Sequence, residues 1–312
     1  FKKKKMKLLI TGATGIVGKT LVQKLLKEGH KIHYLTTRKE KLNSLAGATG
    51  FHWNPKLDQI DTSCFSEVDT IIHLAGATVS KRWTKKYKQE IYSSRIKPTQ
   101  VLLTGLRNRQ EPLQVKQLIS ASAIGIYPSH PYRKVEETTA VMSKSFMEKV
   151  VFDWEKEVDT FTTEGILVCK MRIGLVLSPE GGVLGTLKIP TKFGLGAAFG
   201  SGEQGQSWIH LNDLVGIFLN AIKGKWEGVY NAVSPNPVSQ KELISSLAKT
   251  MKRPHLLPAI PPFLIKILVG EMSALVLDSH WVSANKVINQ GYKFQYPEIQ
   301  KALQNLLGRN EE

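Results

Sequence analysis

Lys7-Leu-Leu-Ile-Thr-Gly-Ala-Thr-Gly-Ile-Val-Gly18 joins an apolar run, Leu8 to Ile10, to the helical repeat of Leu21, Leu25 and Leu26. The run reads as a buried parallel strand and the repeat as one face of a helix. Between them Gly12, Gly15 and Gly18 stand in the spacing GxxGxxG. Gly12 permits a tight turn out of the strand. Gly15 lets backbone approach a pyrophosphate, and Gly18 lets the helix pack closely on the sheet. The helix start then offers unpaired N–H groups and the positive end of its dipole to an anion. A dinucleotide site is the expectation, built on Gly12, Thr14, Gly15, Ile16, Val17 and Gly18.

Further strand-like segments follow at His30–Thr36, Gly50–Trp53, Val68–Ala77, Gln117–Gly125 and Gly165–Leu177. Helical patterns separate several of them, over about 84–108 and 143–157. Strands alternating with helices predict an α/β fold with a doubly wound parallel sheet of the Rossmann type. The second strand ends at Thr37-Arg38 with no Asp or Glu. An acid there would bind the 2′-hydroxyl of NAD, whereas an arginine suits the 2′-phosphate of NADP. NADP is therefore the expected cofactor. The fourth segment turns from apolar to small residues at Leu74, Ala75 and Gly76, where a cofactor can lie against backbone. On the basic helix after it, Arg95 either joins a solvated face or turns inward to a phosphate.

Beyond about residue 178 the pattern loosens into a glycine-rich region from Gly181 to Gly205. Trp208–Gly216 then begins a helix capped by Asn212 or Asp213. Tyr230–Ala232 reads as a strand, and Ser239–Met251 as a helix with Ser239 as its N-cap. The expected organisation is a cofactor domain over 6–178 and a mixed region over 179–308. The latter is mainly a smaller α/β substrate domain, with segments returning to the core. Residues 1–5, Phe-Lys-Lys-Lys-Lys, are set aside as a tag-like or disordered extension.

The composition of the 312 residues, 42% hydrophobic and 22% charged, is that of a globular protein. Lys2 to Lys5 supply four of the +17 charges, and the other lysines are scattered, which reads as a solvated basic surface. Neither a nucleic-acid nor a membrane partner is expected. Pro258–Leu277 is apolar but interrupted by Pro261, Pro262, Lys266, Gly270 and Glu271. Cys64 and Cys169 cannot form a disulfide framework and point to a reducing, cytoplasmic compartment. No metal-ligand spacing is present, since His30 and His33 read as flanking a turn and a strand start and no H-E-x-x-H occurs.

Several motifs resemble the extended short-chain dehydrogenase/reductases. They are Gly12-Ala-Thr-Gly-Ile-Val-Gly18, His73-Leu-Ala-Gly76, Ser120-Ala-Ser122, Trp208-Ile-His-Leu-Asn-Asp213 and Gly228-Val-Tyr-Asn-Ala232. A finer similarity to the atypical epimerase-family branch is carried by Arg82-Trp-Thr84, Ser94-Arg-Ile96, Arg172-Ile-Gly-Leu-Val-Leu177, Phe193-Gly-Leu-Gly196 and Gly200-Ser-Gly-Glu203. The resemblance implies NADP on the sheet, with contacts from Thr37, Arg38, Leu74, Ala75, Glu90, Arg95 and the backbone of Val176. It also implies an oxidoreductase or epimerase-like enzyme acting on a small polar substrate under the 193–207 loop. A homodimer is its candidate assembly.

The chemistry of that family rests on a tyrosine whose pKa is lowered by a lysine four residues later. No Tyr-x-x-x-Lys occurs in this sequence, and the corresponding stretch, Phe146-Met-Glu-Lys-Val-Val151, is apolar where those two residues would stand. Ser122, at the place of the family serine, and Tyr127 are the remaining candidates for orienting a carbonyl and supplying a proton. Both also read as packing residues. His210 is either a further proton donor or a hydrogen-bonded core residue. The loss of the pair gives the alternative: an inert NADP-dependent sensor or scaffold.

Overall fold

The computed structural model describes residues 5–308. The 1–5 extension therefore lies outside the described residues except for Lys5. The central sheet gathers β1 (Lys7–Thr11), β2 (Lys31–Thr36), β3 (Ala48–Asn54), β4 (Gln59–Ile60), β5 (Thr70–His73) and β6 (Gln117–Ala123). The short β7 (Lys134–Val135) stands apart. The sheet is completed by β8 (Leu167–Ile173) and, after β9 (Leu175–Ser178), β10 (Gly205–Gln206) and β11 (Trp208–His210), by β12 (Gly228–Ala232). Its order is β12-β8-β6-β5-β1-β2-β3-β4, and every pairing is parallel except β3 with β4. This is a doubly wound Rossmann sheet with a smaller C-terminal α/β part.

Helices cover both faces because the strands are apolar on both sides. On one face α1 (Ile16–Lys27) packs Leu21, Val22 and Leu25 onto Leu8 and Ile10. On the other, α2 (Lys85–Arg107) and α3 (Phe146–Asp159) bury Val101, Leu102, Leu106, Trp154 and Val158 against Leu9, Ile71 and Leu118. Thr84 caps α2 and Ser145 caps α3, each side-chain oxygen accepting a backbone N–H three residues on. The third helix therefore starts three residues later than its apolar pattern suggested. Cys64 and Cys169 are buried free thiols, and burial pushes Cys169 up to about 12.

Two expected elements are rearranged. The segment Gly165–Leu177 is not one strand but two, β8 and β9, parted at Gly174. A side chain at Gly174 would stand 2.2 Å from the Ser207 carbonyl oxygen, so only glycine lets the two backbones meet. The Gly174 N–H still donates to Ala232 at 3.1 Å, but the next, Leu175 N–H, donates to Ser207 at 2.8 Å. The chain has changed partners, and β9 runs parallel to β11 outside the main sheet.

The second change concerns Trp208–Gly216. Its first three residues are β11, and α5 (Leu211–Gly224) follows α4 (Gly182–Lys192) in the helix order. The cap of α5 is His210, whose Nδ1 accepts the Asn212 N–H at 3.0 Å. Asp213 points elsewhere. Its carboxylate accepts the Tyr292 hydroxyl and the Gln295 and Tyr296 N–H groups at 2.7–2.9 Å, clamping that loop onto α5.

The remaining elements are α6 (Gln240–Thr250) behind β13 (Val238–Ser239), α7 (Pro262–Val269), α8 (Ala274–Leu277), β14 (Trp281–Val282), α9 (Asn285–Asn289) and α10 (Ile299–Leu307). Ser239 caps α6 as its sequence predicts. Leu243 and Leu247 of α6 meet Ile299, Ala302 and Leu303 of α10 in a separate small core.

Candidate active site

Parallel register brings the ends of β1, β2 and β5 to one edge, since Thr11 pairs with Leu35 and with His73. The glycine turn leaves β1 there. Gly12 has φ +67°, and a Cβ on it would lie 2.8 Å from the Leu74 carbonyl group. A Cβ on Gly18 would lie 2.3 Å from Gly12 O, so α1 reaches this close only without one. Gly15, the N-cap of α1, donates its N–H to Gly12 O at 3.0 Å. Thr14 is exposed, while Ile16 and Val17 are half-buried in the first turn of α1.

Across the turn, the Thr11 hydroxyl oxygen accepts from Leu74 N–H at 3.0 Å and from Ala75 N–H at 3.1 Å. His73 holds the same hydroxyl at 2.7 Å through Nδ1, and its Nε2 meets the Thr99 hydroxyl at 3.1 Å. Burial drives the His73 imidazole down to about 3, so it is neutral at ordinary pH. This network fixes the 74–76 backbone opposite the glycines.

Arg95 turns inward. Its guanidinium donates to the Ile91 carbonyl at 2.9 Å and the Ala77 carbonyl at 3.3 Å, lies over the Trp154 ring and stands beside Gly76. Burial lowers its pKa to about 10, and no carboxylate pairs with it among the described residues. Glu90, on the same helix, instead meets Lys56 at 3.3 Å near the surface. Thr37 and Arg38 are exposed just past β2, with the Arg38 N–H on the Thr36 hydroxyl. Val176 lies on β9, and the turn after that strand brings Gly181 against Ile16. The structure thus gathers the glycine turn, residues 74–76 and Arg95, with Thr37-Arg38 at the neighbouring strand end and Glu90 directed away.

A cavity of about 400 Å³ opens from Arg95 between β6, β8, α3 and the C-terminal segment. Val79, Trp83, Phe146, Met147, Ile173 and Leu275 make its walls apolar. Phe146 and Met147, at the start of the apolar 146–151 stretch, line this cavity, and Val150 is buried. Tyr127 borders the cavity, but its hydroxyl donates to Asn231 Oδ1 at 2.8 Å and accepts from Arg172 at 2.9 Å. Burial raises its pKa. Ser122 donates to Glu155 at 2.5 Å, and Glu155 in turn receives two bonds from Arg172 at 2.8 Å. Both hydroxyls belong to one buried ion-pair network that ties α3 to β6, β8 and β12. His210 also has both ring nitrogens in use: Nε2 meets Asn305 at 3.1 Å, and the ring stacks on Tyr296. It does not line the cavity.

The polar end of the cavity comes from residues that the sequence did not single out. They are Glu148, Asp278 and His280. Glu148 is buried, and its carboxylate accepts the Lys144 N–H at 2.8 Å. Burial raises the Asp278 carboxyl, and the Glu148 charge adds to this. The same burial lowers His280 to about 4, against the pull of Glu148, and its buried Nδ1 has no hydrogen-bond partner among the described residues. His280 is delivered by the chain just before β14, where its N–H meets Gly205 O and its carbonyl accepts from Ser207. Asp-x-His carries no motif by itself; the long-range contacts with Gly205 and Ser207, and the pairing of β14 with β7 just after it, bring it to the cavity.

Comparison with known proteins agrees with this geometry. A model of the NAD dependent epimerase/dehydratase family matches residues 8–232, and one of a domain of unknown function, DUF1731, matches 260–306. An epimerase family protein of Staphylococcus saprophyticus is 37% identical over 300 residues, spanning 96% of this chain and 98% of its own. Among solved structures, a human epimerase family protein crystallised with NADPH superposes with a TM-score of 0.82 at 23% identity, covering 96% of this chain and 99% of that one. A nucleoside-diphosphate sugar epimerase from Corynebacterium glutamicum gives 0.79 at 27% identity, over 99% of this chain and 59% of that one.

Proposed function

This chain belongs to the NAD dependent epimerase/dehydratase family, and on that premise we propose that it is an NADP-dependent oxidoreductase or epimerase-like enzyme acting on a small polar substrate. The observation that carries the reading is the half-buried Arg95 guanidinium, without a carboxylate partner among the described residues, beside Gly76 in the fixed 74–76 backbone that faces the Gly12 turn. A cation free of a carboxylate suits a phosphate group, and the N-terminus of α1 at the same sheet edge suits a pyrophosphate. Arg38, with no acid at the strand end, favours the 2′-phosphate of NADP, and the NADPH in the human relative supports the same choice.

NADP, when bound, supplies or accepts the hydride. The chain's own residues do the rest. The apolar walls of the cavity exclude water around the substrate, and its polar end exchanges the proton. His280 Nδ1, neutral and unpartnered, and the carboxylates of Asp278 and Glu148 are the groups assigned to that exchange. Ser122 and Tyr127 enter as positioning residues, because their hydroxyls already serve Glu155, Arg172 and Asn231. That engagement also favours the second reading, a protein that binds NADP without turnover.

The test begins by denaturing purified protein to identify any released nucleotide, then titrating stripped protein with NADPH and NADH. Selective NADPH binding is expected, followed by saturable turnover in a substrate screen that Asp278→Asn and His280→Gln abolish. Binding of neither cofactor overturns the reading. Cofactor whose redox state never changes across the screen selects the sensor.

A further inference from the structure

The glycine-rich region and the apolar stretch after Pro258, far apart in sequence, form one surface. Gly200 N–H donates to Ile260 O at 2.9 Å, Ile260 N–H donates to Ala198 O at 2.8 Å, and Gly194 packs on Pro254. Nine of the fifteen large apolar side chains exposed among the described residues fall within 181–202 and 243–270. Ile189, Phe193, Leu256, Phe263, Ile267 and Leu268 are the most prominent, each between 61% and 85% exposed. In α7 only Ile265 faces inward, so the helix turns its apolar side outward. A patch of this extent on a globular protein marks a contact surface.

Charge identifies what it contacts. Residues 181–202 and 243–270 contain no Asp or Glu at all. They do contain Lys188, Lys192, Lys249, Lys252, Arg253 and Lys266, all exposed. A second copy meeting this patch face to face would set six cations against six, which disfavours a symmetric dimer here. Apolar tips among cations suit the interface of an anionic bilayer, where the tips enter the acyl boundary and the lysines meet headgroups. No helix among the described residues is long and apolar enough to cross a membrane. We propose that α7, with the 188–195 and 252–257 segments beside it, is a peripheral docking surface for anionic lipid. The +17 charge that looked scattered along the sequence is thereby partly collected on one face.

Flotation of the full chain with vesicles tests this. Vesicles of POPC and POPG in a 7:3 ratio should retain the protein at least about tenfold more than POPC alone, and 0.5 M salt should remove most of the difference. Phe263→Ser with Ile267→Ser should lower retention about tenfold at low salt. Lys252→Glu with Arg253→Glu should cost about as much on POPG vesicles and nothing on POPC. All four sites are exposed, so thermal midpoints should stay unchanged and certify the fold. Equal retention on both vesicles, or none, overturns the proposal. So does full retention by the variants, which would assign binding to other basic residues, including Lys2–Lys5. Sedimentation at twice the 34.8 kDa chain mass, abolished by the serine variants, would assign the patch to a second copy instead.

Discussion

Arg38 and His73 illustrate how differently single residues carry this fold. The role proposed for Arg38 rests on position: it stands just past the end of β2, where a ribose is expected. Its guanidinium has no ion-pair partner among the described residues. Arg38→Ala should therefore weaken NADPH about 10- to 100-fold and leave NADH unchanged, the loss of one charge-assisted contact. Fluorescence titration of both cofactors reads this, and equal weakening would remove the assigned role.

His73 was quoted as part of a motif, yet its work is to hold Thr11 against the 74–76 backbone. Its folded pKa of about 3 lies below the ordinary 6.5, so between those values the unfolded chain binds the extra proton. Stability from this group is complete above pH 6.5 and falls as pH drops toward 3, by about 1.4 kcal/mol per pH unit. Urea midpoints measured across that window should show the slope, and His73→Gln should flatten it. His280, by contrast, was invisible. A lone histidine in Leu277-Asp-Ser-His-Trp281 becomes a cavity group only through contacts with chain more than 70 residues distant.

At the scale of elements, local chemistry foretold the Ser239 cap, the approximate start of α2 and one close approach, whereas α3 starts three residues beyond its expected position. Thr84, Ser145 and Ser239 cap helices as their side chains dictate, and Gly18 sits where α1 crosses the turn. Gly18→Val should cost about 1–3 kcal/mol by overpacking against Gly12 and Ala13, and should abolish NADPH binding by moving the helix start. Thermal unfolding and cofactor titration check the two effects separately. What failed was reading partners from pattern. Gly165–Leu177 is continuously strand-like, and nothing local says that Ser207 will take over pairing at Leu175. Likewise Asn212 and Asp213 are better cap residues than histidine by type. His210 holds the cap because Asp213 is drawn to three donors in the 292–296 loop.

For the whole molecule, alternation of strands and helices was enough to give the sheet, because a parallel order needs crossovers and these are visible as helices. Its far edge was legible only as a strand at Tyr230–Ala232 and as segments expected to return to the core, without their partners. β12 lies some 55 residues beyond β8 in sequence, yet pairs with it from Gly228–Cys169 to Ala232–Ile173. α5, also beyond residue 178, buries Leu214, Val215, Ile217 and Phe218 against β1 and α1. A chain ended at residue 178 should therefore aggregate and bind no NADPH, although it holds the entire glycine turn. Coexpression with residues 179–312 should restore soluble, cofactor-binding protein; a soluble, binding 1–178 fragment would refute this.

The late arrival of β12 also bears on synthesis. At about 5–20 residues per second, a ribosome needs roughly 3–12 s after completing β8 to deliver the strand that covers it. During that interval the backbone edge of β8 stands open beside the apolar surface awaiting α5, a combination that invites pairing with a neighbouring nascent chain. Slow decoding between residues 178 and 228 should thus lower the yield of native protein more than slow decoding elsewhere, and a chaperone acting on the growing chain has its chief task in that window.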